Sequence, residues 1–520
     1  MKCVASIRDV STETDVGILQ KAVRLLEHEN ARLVQELGKL VKENADLRGQ
    51  DASYVQLRIE ALEQQLALLQ KKLFGESSER SRRSKETTEK PKRKGHGPRE
   101  QKQLPVVPRR HELPTAACAC EVCGKPMVVW EGQSDLTSEV HVLRRAFFLV
   151  QHEQVKYRCP DGCSVKSAPA PRKLFPGARY SIGFALEVAI QKYLYHTPLA
   201  RQVRQMRSEG LQVDTQTLWD QLNKLAVVLY PLYEKILAYV FSHTVVGADE
   251  TRWRMLGDRG PDGKKTWQVW TVAVPTAVYY QIENSRSADT AAKLFAGYQG
   301  TIECDGYDAY PALAKRCPGI VLAFCWAHVR RKYVDIADFF PDATERILEL
   351  IDELFAIERE CGNGDGEEEL AKRRQLRNEK SRPVVAKIKK WATEVRTLPE
   401  SGLAKAIQYM ANHWSGLERF LDVPHIPLSN NISERANRGP VVGRKNHYGS
   451  RSQRGTEVAA LLYSILETTK LAGVDAHAYL ELAVEAGLEG GDIPLPHEVR
   501  PEVAERMAQH LALVAQYLAD

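Results

Sequence analysis

Apolar residues recur every seventh position early in the chain. Leu19, Leu26, Leu33, Leu40 and Leu47 fill one seam position, and Val16, Val23, Asn30, Leu37 and Asn44 fill the other. A strict heptad repeat predicts a coiled coil, and two seam asparagines favour parallel pairing because a buried amide needs its counterpart opposite. The pattern therefore predicts a leucine zipper that makes the protein a homodimer or higher assembly, against the plainer alternative of one amphipathic helix packing on its own chain. It breaks near 49–53 and resumes in a new frame at Ile59, Leu62, Leu66, Leu69 and Leu73, so the coil spans 16–75 with a stutter or hinge inside it.

A helical pattern returns over Ile182 to Tyr230, with Gly210 ending one helix and Asp214 capping the next. The arrangement resembles a helix-turn-helix, but its second helix carries Lys224 as its one base, whereas recognition helices bring several polar or basic side chains to the groove. A helical adaptor over 171–240 explains the pattern equally well. From Thr244 the period changes to two. Thr244 to Ala248 reads as a strand ending in Asp249, and Trp267 to Val274 and Ala277 to Ile282 read as a hairpin around Pro275. After a helix, Gly300 to Cys304 is a strand ending in Asp305. A helix over Asp308 to Ala314 precedes a fifth strand at Ile320 to Cys325. This is the ribonuclease-H-like order of elements, a mixed α/β sheet whose first and fourth strands are neighbours, so Asp249 and Asp305 should face one another. About 326–420 reads as a large helical insertion, and Glu434 then falls on the first turn of a helix that can return to the sheet.

Composition adds that the chain is multidomain and globular. Its 520 residues exceed one core, and 43% hydrophobic with 27% charged residues is ordinary for a soluble protein. No leader-like or membrane-spanning apolar run occurs, which predicts a cytoplasmic protein without membrane contact. Charge is local: 12 basic and 3 acidic residues lie between Arg80 and Arg110, an excess larger than the whole chain's +6. Six prolines and glycines in that stretch make 76–110 a disordered basic linker, and a polyanionic partner would account for its sign.

Five of the ten cysteines cluster in 111–170, as Cys118-Ala-Cys120-Glu-Val-Cys123-Gly and Cys159-Pro-Asp-Gly-Cys163. Four thiolates in two tight knuckles suit a structural, tetrahedral Zn2+. Cys120, Cys123, Cys159 and Cys163 are the favoured set, with Cys118 competing with Cys120 as partner to Cys123. Val140 to Val155 alternates as strands between the knuckles. Unligated buried cysteines are the plainer alternative.

GADETRW, CDGYDAYPALA, CWAHVRRKY and LSNNISERANRGPVVGRKNHYGSRSQRG resemble the successive blocks of bacterial insertion-sequence transposases of the sixty-six type. The likeness extends to the KKLFGESSER exit of the zipper and the tail ETTKLAGVDAHAYL, so it covers nearly the whole chain. It implies a DDE transposase, with the catalytic, metal-binding triad falling on Asp249, Asp305 and Glu434. The catalytic domain is then 241–470, followed by a helical tail at 471–520. Ser429 stands where the family usually has an aspartate. The resemblance also implies nucleoid-associated work on the element's terminal repeats and target DNA, and accessory proteins of the same element.

Carboxylates suit this chemistry because hard oxygens hold Mg2+ or Mn2+, and two ions about 3.5–4 Å apart clamp the attacking and leaving oxygens of an in-line phosphoryl displacement. One site can then serve both strand cleavage and attack by the freed 3′-hydroxyl on target DNA. Arg435, Arg438, Arg444, Lys445, Arg451 and Arg454 lie in an acid-poor segment and are expected to neutralise DNA phosphates. His447 and Tyr448 either stack on bases or hold the hairpin. Each residue also has a duller reading: Asp249 and Asp305 as turn residues, Glu434 in a capping box with Asn431, and His328 as a packed histidine. The rival functions are a zinc-containing dimeric DNA-binding regulator and a metal nuclease without strand joining.

Overall fold

The computed structural model describes residues 145–519 apart from 162, 258–262, 264, 265 and 363, together with 106, 110–112, 118, 120, 123–129, 135–137, 139 and 140. The expected zipper and most of the basic linker lie outside the described residues. The rest falls into two compact units, one over Ala323–Ser429 and one built from the segments on either side.

The larger unit opens on an antiparallel hairpin, β1 (Lys156–Arg158) and β2 (Val165–Ser167). The strands expected over Val140 to Val155 do not form among its described residues. Pairing falls instead on either side of Cys159 and Cys163, where a tight turn brings the two arms into register. Four helices follow: α1 (Ile182–Tyr193), α2 (Leu199–Ser208), α3 (Thr215–Val228) and α4 (Tyr230–Phe241). Gly210 ends α2 at φ +94°, a conformation that strains any L side chain. Asp214 caps α3 by accepting from the Thr217 amide at 2.7 Å. Leu218, Leu222 and Leu225 of α3 and Leu232, Ile236 and Val240 of α4 are fully buried, each stabilising the unit by about 1.5–3 kcal/mol.

The sheet follows in the order of elements the sequence predicts. β3 (Val245–Arg254), β4 (Thr266–Val274) and β5 (Ala277–Glu283) form an antiparallel meander, and α5 (Ala288–Leu294), β6 (Gly300–Cys304), α6 (Ala309–Arg316) and β7 (Ile320–Phe324) complete the set. The five strands lie in the order β5-β4-β3-β6-β7, with β6 parallel to β3. The first and fourth strands are therefore neighbours.

The smaller unit is helical: α7 (Trp326–Val334), α8 (Pro341–Cys361), α9 (Glu367–Leu376), a π-helical turn over Arg377–Ser381, α10 (Arg382–Glu394), α11 (Gly402–Asn412) and α12 (Trp414–Leu417). Arg377, fully buried in the π turn, pairs with Glu358 and donates to the carbonyls of Phe420, Val423 and Pro424 at 2.7, 3.3 and 3.3 Å. Nearby Arg373 reaches the carbonyls of Gly362, Gly364 and Pro424 at 2.9, 2.9 and 3.1 Å. Backbone oxygens that no helix satisfies thus find donors in two buried guanidinium groups.

The larger unit ends with α13 (Asn431–Ala436), α14 (Arg438–His447), α15 (Gln453–Ala472), α16 (Ala476–Leu488) and α17 (Arg500–Ala519). α15 lies along edge strand β5. Ser464 accepts from the Tyr280 amide at 2.9 Å, and Thr468 accepts from the Val278 amide and donates to its carbonyl, both at 3.1 Å. Side-chain hydroxyls thus complete a ladder that would otherwise be open to strand addition. No helix among the described residues is long and apolar enough to cross a membrane.

Candidate active site

The parallel ladder between β3 and β6 pairs Val245 with Thr301, Val246 with Ile302 and Gly247 with Glu303. Carried two residues further, the same register brings Asp249 level with Asp305, and strand alternation assigns both to the face of Gly247. Asp249 is interior to β3 and not its last residue, because β4 keeps pairing with the polar stretch after Ala248 as far as Arg254 with Thr266.

The two carboxylates differ in surroundings. Asp249 Oδ1 accepts from the Glu250 amide at 2.8 Å and its Oδ2 from the Asn437 side-chain amide at 2.7 Å. Burial raises the Asp249 carboxyl up to about 7, the Asn437 hydrogen bond opposes that rise, and the negative charges of Glu250 and Asp305 add to it. Asp305 Oδ1 accepts from the Tyr307 amide at 3.1 Å. Buried acids that repel one another are the arrangement a cation relieves.

Helix α13 packs on β3 and β4. Its entry is fixed by Asn430, whose side-chain amide donates to the Ala248 carbonyl at 2.7 Å. Gly247 permits this approach, since a Cβ there would stand 2.7 Å from Asn430 Oδ1. Asn437 ends the helix and its side-chain amide bonds Asp249, while its side-chain oxygen Oδ1 accepts from the Thr271 hydroxyl at 2.6 Å. Glu434 lies on α13, four residues after Asn430 and three before Asn437, the spacing of one helix face. The capping box is not formed: Asn430, not Asn431, is the N-cap, and it makes no side-chain cap hydrogen bond. One heptad further on, Arg444 reaches Thr251 Oγ1 at 2.9 Å and also the Arg252 carbonyl. Residues 430, 437 and 444 thus meet 247–248, 249 and 251 of β3 in order.

Of the expected phosphate-binding residues, Arg435, Arg438, Lys445 and Arg451 are exposed. Arg444 is tied to β3, and Arg454 bonds Asn223 at 2.8 Å and pairs with Glu457 at 3.1 Å. His447 is packed inside, 3.2 Å from the Tyr463 hydroxyl and against the Trp253 ring, where burial and then the charge of Lys192 lower it to about 3. It holds the hairpin, whereas Tyr448 is 61% exposed in a left-handed conformation. The cysteines sit in tight turns. The Cys120 backbone carbonyl accepts from the Gly124 amide at 2.8 Å and its amide donates to the Lys125 carbonyl at 2.9 Å, the Cys118 carbonyl accepts from the Met127 amide at 2.7 Å, and the Cys159 amide donates to the Ser164 carbonyl at 2.9 Å.

Three residues beside Asp249 carry no signal in the periodicity. The Glu250 side chain is fully buried and accepts from Arg286 Nη2 at 2.8 Å and Nε at 3.2 Å, with fully buried Tyr310 as an electrostatic neighbour. The sequence ends the strand at Asp249, so only its partners reveal the role of Glu250.

Asp249 of β3 and Asp305, directly after neighbouring β6, thus lie in a mixed α/β fold with helix α13 packed on β3 and β4. Residues 177–458 match the Transposase IS66 family, more than half the chain, and the protein belongs to that family. It is similar to two uncharacterized proteins of Sinorhizobium fredii: y4jD, 33% identical over 75% of this chain and 78% of that one, and y4hP, 31% identical over 71% and 70%.

Proposed function

We propose that this IS66-family chain is a DDE transposase with a ribonuclease-H-like core, in which Asp249, Asp305 and Glu434 hold two Mg2+ or Mn2+ ions for cleavage and strand transfer of an insertion sequence. The observation that carries this reading is the register alignment of Asp249 with Asp305, under the helix that bears Glu434. The oxygen-only donor set fits a hard divalent ion, and the raised Asp249 carboxyl fits a site meant to hold one. Bound there, the ions would activate water or the 3′-hydroxyl and neutralise charge developing on the phosphate.

The chain's own residues prepare that site. Asn437 keeps one Asp249 oxygen engaged and is itself fixed by Thr271, so the carboxylate does not rotate away. Asn430 and Gly247 set how closely the Glu434 helix approaches the strand. Exposed Arg435, Arg438, Lys445 and Arg451 are positioned to meet DNA phosphates along the element ends and target, with Arg444 and Arg454 steadying the same segment. We assign structural Zn2+ to Cys120, Cys123, Cys159 and Cys163, and dimerisation to the zipper. Action in the cytoplasm on nucleoid DNA, alongside accessory proteins of the element, completes the proposal.

The test is a strand-transfer assay with labelled terminal-repeat DNA, a target plasmid and Mg2+. A transposase covalently joins the donor end to the target, a nuclease only cleaves, and a regulator does neither. Asp305→Asn and Glu434→Gln should each abolish both products. Unchanged cleavage by either variant would remove that side chain from the centre.

A further inference from the structure

Arg286, between β5 and α5, is bonded by its side chain to Glu250, the residue next to Asp249. Its guanidinium gives Nη2 and Nε to Glu250 Oε2 and lies flat on the Tyr307 ring, 3.5 Å from the centroid. Tyr307 is itself fixed twice, its amide donating to Asp305 Oδ1 at 3.1 Å and its hydroxyl to the Arg286 carbonyl at 2.9 Å. One loop thus joins both aspartates to a clamped guanidinium.

The Glu250 side chain is 0% exposed while Arg286 keeps 37% of its surface open. Both bonds to Glu250 use one edge of the guanidinium, and among the described residues Nη1 has no hydrogen-bond partner. Glu250 therefore acts as an anchor that aims a planar, permanently charged donor outward, and such a fork matches phosphate oxygens.

We propose that Arg286 is a DNA-contacting residue, its free guanidinium edge taking one backbone phosphate adjacent to the Asp249–Asp305 centre while Glu250 and Tyr307 hold it in place. This rests on the proposed carboxylate chemistry. When two divalent ions neutralise four nearby carboxylates, Glu250 included, Arg286 supplies the surplus positive charge that a phosphodiester requires. Lysine cannot both keep the Glu250 fork and stack on Tyr307.

The test uses the full-length protein and a duplex carrying the element's terminal repeat, with Ca2+ present and cleavage not required. Arg286→Ala should weaken binding about tenfold and lower the slope of log affinity against log salt by about 0.9, one phosphate's worth. The double variant Glu250→Gln, Arg286→Gln keeps an amide pair in the buried position and should show the same loss with an unchanged melting temperature. A methylphosphonate walked along the strand should erase the difference between wild type and variant at one position near the cleavage point. Unaltered affinity and slope in both variants, or an equal deficit on every methylphosphonate duplex, would overturn the proposal. Asp305→Asn with the same duplex in Mg2+ separates the two ideas. If it still cleaves, the carboxylate reading falls; if it is dead while Arg286→Ala binds normally, only the phosphate contact falls.

Discussion

The Asn437 side-chain amide donates to Asp249 Oδ2 at 2.7 Å, across 188 residues of sequence. An ionised Asp249 can only accept, which sets the Asn437 NH2 toward it and leaves the Asn437 side-chain oxygen to accept from the Thr271 hydroxyl. Asn437→Asp replaces the donor with a second acid and should reduce Mg2+-dependent cleavage more than Asn437→Ala does. The alanine variant should lose about 1–2 kcal/mol of stability, the cost of orphaning two buried partners. Denaturant titration and cleavage kinetics check both, and an aspartate variant as active as the alanine one would remove Asn437 from the machinery.

A pH dependence follows from Asp249, raised by burial from its ordinary 3.8 to about 7. Between those values the metal-free folded state keeps a proton that the unfolded state has released. Its contribution to stability is therefore full below 3.8 and drains away as pH rises through 7. A divalent ion needs the ionised carboxylate, so its affinity should climb to about pH 7 and level above it. Melting curves should show Mg2+ raising the transition more at pH 8 than at pH 6, with Asp249→Asn removing the difference. Equal Mg2+ effects at both pH values in the wild type would count against the assignment.

Sequence periodicity predicted the sheet because apolar runs such as Trp267–Val274 and Gly300–Cys304 are strong period-two signals bounded by turn residues. The far half of β3 was not legible: Glu250, Thr251 and Arg252 look like loop, and only the β4 partner makes them strand. Asn431 misled in a different way. Its spacing suited a capping box with Glu434, but the N-cap falls one residue earlier at Asn430, whose side-chain amide goes to Ala248, a partner 182 residues away. The Glu250–Arg286 pair was invisible for the same reason, since two charged residues on different elements leave no periodic trace until the meander folds them together.

The cysteine turns predict a metal count. Purified protein should carry about one zinc per chain, lost in Cys123→Ser and Cys163→Ser. Cys118 and Cys120 both accept or donate within the same turn, so they are separated by paired variants: Cys120→Ser should lose the ion and Cys118→Ser should keep it. Elemental analysis reads the result, and full zinc in Cys120→Ser with loss in Cys118→Ser would exchange their roles.

Arg377 makes the smaller unit's most consequential single contact. Its guanidinium is fully buried against Glu358 and serves carbonyls at Phe420, Val423 and Pro424, so truncation would strand a carboxylate and up to three oxygens together. Breaking such a pair typically costs about 3–5 kcal/mol. Arg377→Ala should accordingly loosen this unit, and Arg377→Lys should not rescue it, because a point charge cannot reach the carboxylate and the carbonyls at once. Hydrogen exchange followed by mass spectrometry distinguishes this from global unfolding: peptides from α8 to α10 should exchange faster while those from β3 to β5 keep their protection. If β3 to β5 lost protection to the same degree, the damage would not be confined to the unit that Arg377 holds.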